Sequence, residues 1–153
     1  MYKLLINSIF AMLMASVVFG QAQQGADKLY YDKDGRLFTG ITRDYYPDSA
    51  LHAEFEIQNG VLSGISKVYF NNGKLEEIRS FREGMMHGKW EKWNQQEVKI
   101  AEANYTDNLK DGKWYIWDEN GTLRYDMTYI KGEKSGVWMM YDEKGKVISQ
   151  KSY

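Results

Sequence analysis

Cysteine is absent from the 153 residues, proline occurs once, as Pro47, and histidine twice, as His52 and His87. Each shortage excludes something. Without cysteine there is no thiol nucleophile and no disulfide, so stability must come from packing and strand pairing. Two histidines fall short of the three or four convergent ligands that zinc takes, and His87 occupies a loop place held elsewhere by Ser63, Asp111 and Ser135. Nucleophile-elbow, zinc-protease, phosphate-loop and calcium-loop patterns are all missing. The acidic pairs Glu76-Glu77 and Asp118-Glu119 read as a strand edge and a hairpin turn, and adjacent strand residues point to opposite faces, which spoils a paired-carboxylate site. The expectation is a non-enzymatic protein with no catalytic residue, no cofactor and no metal. Charge of one sign is lacking too. Twenty basic residues stand against 21 acidic ones, for a net charge of −1, and nothing in that balance draws nucleic acid.

What the chain has in quantity is aromatic side chains, 12 Tyr, 6 Phe and 5 Trp, a composition that favours strands. Its one long apolar run lies at the start. Lys3 gives a positive beginning, Leu4 to Phe19 is nearly all apolar, and small residues follow at Gly20 and Ala22. That order predicts a secretory signal peptide over 1–20, cleaved near Gly20 or Ala22. The run is too short to span a bilayer comfortably, which takes about 20 apolar residues, so the mature chain is expected to have no membrane span. The location implied is periplasmic or extracellular.

Self-similarity decides the architecture. Gly40, Gly64, Gly88, Gly112 and Gly136 recur every 24 residues without a gap. Numbering positions forward from each glycine, position two is Trp in the last three copies, as Trp90, Trp114 and Trp138. Position five is Tyr45, Tyr69, Trp93, Trp117 and Tyr141. Position nine is Gly73, Gly121 and Gly145, with Ser49 and Glu97 as departures. Position eleven is Leu51, Leu75, Leu123 and Val147, with Lys99 departing, and position seventeen is Ile57, Phe81, Tyr105, Tyr129 and Tyr153. Two strand-like runs flank a turn in each unit, for example Lys113 to Trp117, then Asp118 to Gly121, then Thr122 to Ile130.

The spacing predicts an all-β, elongated antiparallel meander of tandem 24-residue hairpins. Five repeats fall at 40–63, 64–87, 88–111, 112–135 and 136–153. A shortened capping copy is expected at 27–39, from Tyr31, Asp32, Gly35 and Leu37, and a linker at 21–26. Positions five, eleven and seventeen share parity, which places them together on an apolar face if no bulge intervenes. Position two has the other parity. It stands on the opposite face unless a bulge at the repeat glycine re-aims it.

Gly-Lys-Trp at 88–90 and 112–114, the aromatic residue three later, Asp-x-x-Gly-x-Leu, and Tyr-x-x-Gly-x-x-x-Gly at 129–136 together resemble MORN-repeat variants over residues 27–153. More closely, they resemble the YwqK-type antitoxin family, strings of such repeats in a long twisted sheet. The resemblance implies an antitoxin or immunity-type protein that neutralises a toxin by binding. Other MORN proteins imply scaffolds, dimerisers or binders of anionic lipid.

Three readings follow for partners. The leading one is an exported protein-protein interaction module or scaffold, and the second is toxin neutralisation. The third is glycan binding through an aromatic row of Trp90, Trp114 and Trp138, with burial of that row in the core as its rival, since a thin sheet needs its aromatics. The C-terminal strand offers an edge for strand addition or self-association, guarded by Lys144, Lys146 and Lys151.

Overall fold

A computed structural model describes residues 22–153, so the expected signal peptide at 1–20 lies outside the described residues. Thirteen strands follow in chain order: β1 Gln23–Gln24, β2 Tyr30–Tyr31, β3 Gly40–Tyr45, β4 Leu51–Gln58, β5 Val61–Tyr69, β6 Leu75–Arg82 and β7 Met85–Trp93, then β8 Lys99–Thr106, β9 Leu109–Lys110, β10 Gly112–Trp117, β11 Leu123–Ile130, β12 Glu133–Tyr141 and β13 Val147–Ser152. From β3 to β13 they form one 11-stranded antiparallel sheet in which sequence neighbours pair, with β9 off the path beside β8. The all-β meander read from the sequence is the fold.

Two turn types alternate along the sheet. At positions nineteen and twenty, Asn59-Gly60, Glu83-Gly84, Asp107-Asn108 and Lys131-Gly132 all have positive φ at both residues, the type I′ geometry that suits the strand twist. The other turns span positions six to ten and need positive φ at position nine. Gly73, Gly121 and Gly145 supply it freely, while Ser49 and Glu97 adopt it at φ 70 and 64 despite a Cβ. Asp118 fastens its turn by accepting the amides of Asn120 and Thr122 on one carboxylate oxygen, and Asp142 does the same for Lys144 and Lys146.

All five repeat glycines have positive φ, and at Gly64, Gly88 and Gly112 the side chain at position sixteen of the preceding copy also lies across them: a Cβ at Gly64 would run into the Glu56 carboxylate, and one at Gly88 would sit 3.0 Å from Ser80 Oγ. Around Gly64 the outgoing strand carries two extra residues, because Phe55 pairs with Ser66 but Ile57 with Leu62. An even excess keeps the faces unchanged.

The parity expectation fails, and a second irregularity explains why. In each hairpin one residue at position twelve has no partner: Lys92 pairs with Ala101 and Trp93 with Lys99, leaving Ile100 out. The same slip omits His52, Glu76, Arg124 and Ile148. A one-residue bulge reverses facing, so positions five and eleven share one face while position seventeen lies on the other. Position two joins position seventeen there, since Trp90 pairs with Ala103 and Gly88 with Tyr105.

The segment expected as a linker is built into the fold from Ala22 onward. Gln23–Gln24 pairs with Tyr30–Tyr31, and Ala22, 3% exposed, packs in a cluster with Phe38 and Ile57. Tyr30, Phe55 and Leu62 surround it. The backbone of Gly60 ties the capping copy down, accepting from the Tyr30 amide and donating to the Phe38 carbonyl, both at 2.8 Å. Apolar residues from the cap thus close the core at this end, where position two holds only Thr42 and Ser66.

Candidate functional site: an aromatic ladder under lysines

Positions two and seventeen alternate across the sheet, so their rings interleave. Phe81, Trp90, Tyr105, Trp114, Tyr129, Trp138 and Tyr153 form one continuous ladder with centroid spacings of 6.2, 4.9, 5.2, 5.3, 5.1 and 4.8 Å. The tilted contacts suit the ring quadrupoles. Trp114 and Trp138 donate their indole N–H groups to the carbonyls of Asn104 and Thr128, each at 3.0 Å, whereas the Trp90 N–H has no protein acceptor.

The candidate row is therefore core. Trp90 is 7% and Trp114 9% exposed, and Trp138 is half-buried between Tyr129 and Tyr153. Each of the three has an aromatic ring on either side, Phe81 and Tyr105 for Trp90 and two tyrosines for each of the others, so none offers the open ring that stacking a sugar requires. At the far end Tyr153 has one ring neighbour in the ladder and is 44% exposed.

Cations cover the ladder. At position twenty-two, where earlier copies have Leu62 and Met86, the later ones have Lys110 and Lys134. The Lys110 ammonium lies 4.4 Å from the Trp114 ring centre and 4.8 Å from that of Tyr129, and Lys134 stands 4.7 Å from Trp138 and 4.8 Å from Tyr153. Lys151 is 4.9 Å from Tyr153. Burial, then repulsion from Lys134, lowers the Lys110 ammonium below its ordinary pKa. Burial also pushes the Tyr105 hydroxyl up to about 12, with the charge of Glu77 adding to it. Lys110 and Lys134 were not singled out from the sequence, and Lys151 was read only as a guard of the C-terminal edge. The signal was there, as a change from apolar residue to lysine at one position of the repeat.

The opposite face is organised by ion pairs. Arg43 donates to Glu54 at 2.8 Å, Lys113 to Asp126 at 2.7 Å, and Glu102 lies 3.0 Å from Lys99 and 3.1 Å from Lys89. Lys99 also bonds Glu91. The position-five aromatics are half-buried among them. Near the turn after β7 an open cleft of about 330 Å³ is lined by Phe70, Glu76, Lys92, Trp93 and Ile100 among others. The Asn94 side chain in that lining is already engaged, accepting from Gln96 and Val98 in its own turn and donating to the Glu119 carbonyl. His52 meets Asp44 at 3.1 Å and His87 meets Asp107 at 3.2 Å. Among the described residues no three His, Cys, Asp or Glu side chains are grouped to hold a metal ion, and no helix is long and apolar enough to cross a membrane.

No curated protein matches the chain, so the likeness to antitoxins rests on motifs alone. A family model does match, and in the register of the ladder: two of its segments begin at Lys110 and Lys134, and the third at Leu62, the same position of the repeat. By that match residues 62–83, 110–131 and 134–153 are similar to the MORN repeat variant.

Proposed function

We propose that this chain is an exported, non-enzymatic module that binds another protein and acts as a scaffold. MORN repeats are commonly modules that bind proteins or membranes. The observation that carries the reading is the self-supporting sheet: the ladder packs one repeat on the next and presents equivalent side chains at regular steps, roughly 9 to 10 Å for two strand spacings. A surface of that kind suits an extended partner better than a small molecule. Export is supported by the apolar stretch Leu4 to Phe19 after Lys3. Of the two cleavage points, the one after Gly20 leaves Ala22 in the chain to fill its place against Phe38 and Ile57. Toxin neutralisation is a narrower form of the same reading, since it too proceeds by binding.

The test is expression of the full chain with a C-terminal tag, fractionation, intact-mass measurement and cross-linking. The expected result is an extracytoplasmic protein that begins at Gln21 and is cross-linked to one recurrent protein. A chain retained in the cytoplasm with residues 1–20 attached would refute export. Absence of any recurrent partner would refute the module.

A further inference from the structure

The sheet sorts its charges. On the ladder face, strand register gives the third repeat Trp90, Lys92, Ala101, Ala103, Tyr105 and Lys110, and the fourth Trp114, Ile116, Tyr125, Met127, Tyr129 and Lys134. The fifth adds Trp138, Met140, Ser149, Lys151 and Tyr153. No aspartate or glutamate occurs at these positions, although the whole chain has more acids than bases. The acids of the same repeats, Glu91, Glu102 and Asp126, point to the other face and are paired there. Lys92 reaches Glu76 at 3.1 Å, but Lys110, Lys134 and Lys151 have no carboxylate partner among the described residues. The rings hold these ammonium groups in place by cation–π attraction, and with no internal carboxylate to neutralise them the surface they form is complementary to an anionic partner.

We propose that the ladder face over residues 88–153 docks an acidic, extended segment of a partner protein, lying across the strands with its carboxylates on Lys110 and Lys134. This rests on the module reading above. The ladder fixes the geometry: Lys110 and Lys134 occupy one repeat position, so they recur at roughly 9 to 10 Å. A polyproline-II chain advances about 3.1 Å per residue and completes a turn in three, so every third side chain returns to the same side after about 9 Å. Its backbone also needs no ladder bonds, and the inner strands of this sheet have none to give. A second copy of this chain is a poor occupant of the same face, because it would bring lysines to lysines. An acidic polysaccharide would want open aromatic rings as well as cations, and the rings here are closed.

The experiment is a fluorescence-anisotropy titration of the folded chain with a labelled peptide of Glu-Pro-Pro repeats. A Gln-Pro-Pro peptide, polygalacturonate and phosphatidylserine vesicles serve as comparators. Binding of the acidic peptide is expected to fall about tenfold in the Lys110→Gln/Lys134→Gln variant, the worth of two modest charge pairs. It should be restored with arginine at both positions and unchanged by Lys67→Gln, which removes a charge from the other face. Circular dichroism of each variant separates lost binding from lost folding. Failure of the peptide to bind, equal weakening by Lys67→Gln, or preferential binding of polygalacturonate or vesicles would overturn the proposal. The partner cross-linked in cells gives a second reading: capture by the double variant as strong as by the native chain overturns this inference and leaves the module standing.

Discussion

Replacing Trp114 by alanine tests whether the ladder is the core. The indole is 9% exposed, lies between Tyr105 at 5.2 Å and Tyr129 at 5.3 Å, and donates to the Asn104 carbonyl. Truncating a buried tryptophan to alanine typically costs 3 to 5 kcal/mol, and two aromatic contacts are lost with it, so a loss of about 4 kcal/mol is expected. Trp138 makes the same hydrogen bond but is half-buried near the ladder's end, so Trp138→Ala should cost about half as much. Phenylalanine substitutions isolate the N–H. Trp114→Phe leaves the Asn104 carbonyl without its donor, whereas Trp90→Phe removes an N–H that had no acceptor, so the first should cost about 1 kcal/mol more than the second. Urea unfolding followed by circular dichroism measures all four, with midpoint shifts converted through a common slope. A Trp114→Ala loss below about 1 kcal/mol, or one no greater than that of Trp138→Ala, would refute the ladder as the core.

Glu97→Gly should raise stability by about 1 kcal/mol in the same assay, because it relieves a positive φ of 64 at a turn position where other copies use glycine. Gly64→Ala should be far worse than Gly136→Ala: the first drives a methyl into Glu56 at φ 112, while the second meets open space at φ 67, and comparable losses would count against the close approach described. Alkaline pH should destabilise the fold between pH 10 and about pH 12. The Tyr105 hydroxyl titrates at about 12 when folded against an ordinary value of 10.0, so its contribution is intact below pH 10 and disappears as pH rises through 12. It amounts to about 2 to 3 kcal/mol, and Tyr105→Phe should flatten that part of a pH-dependent melting curve.

The repeat made the sheet legible, because glycines at a fixed spacing and aromatics at fixed offsets have few other meanings. Which face each side chain takes was not legible. It turns on the position-twelve bulge, occupied by His52, Glu76, Ile100, Arg124 and Ile148, residues with no chemistry in common, so composition gives no sign of it. The bulge is set by the turn geometry before it rather than by the residue in it. The tryptophans stood out as a row, yet a row of equivalent residues is compatible with a surface or a core until the interleaved position-seventeen rings are placed between them. The lysines above them were hidden by an ordinary assumption, that lysine in a strand is a solvated edge. Ala22 was overlooked because small residues near a cleavage site are read as processing signals, although this one is also packing.

The order of pairing has a consequence for how the chain comes into being. Strands join their sequence neighbours, or in the case of β8 and β10 the next strand but one, and the side-chain hydrogen bonds linking successive repeats, such as Asn94 to Glu119 and Arg82 to Asp107, span 25 residues. Loop closures that short are quick, and none waits for a distant part of the sequence. Once the cap and first hairpin have closed, each new unit finds its docking surface already made as it emerges from a ribosome or a translocation pore. Assembly can therefore keep pace with delivery, adding one rung at a time and leaving little unpaired sheet to stick to other chains.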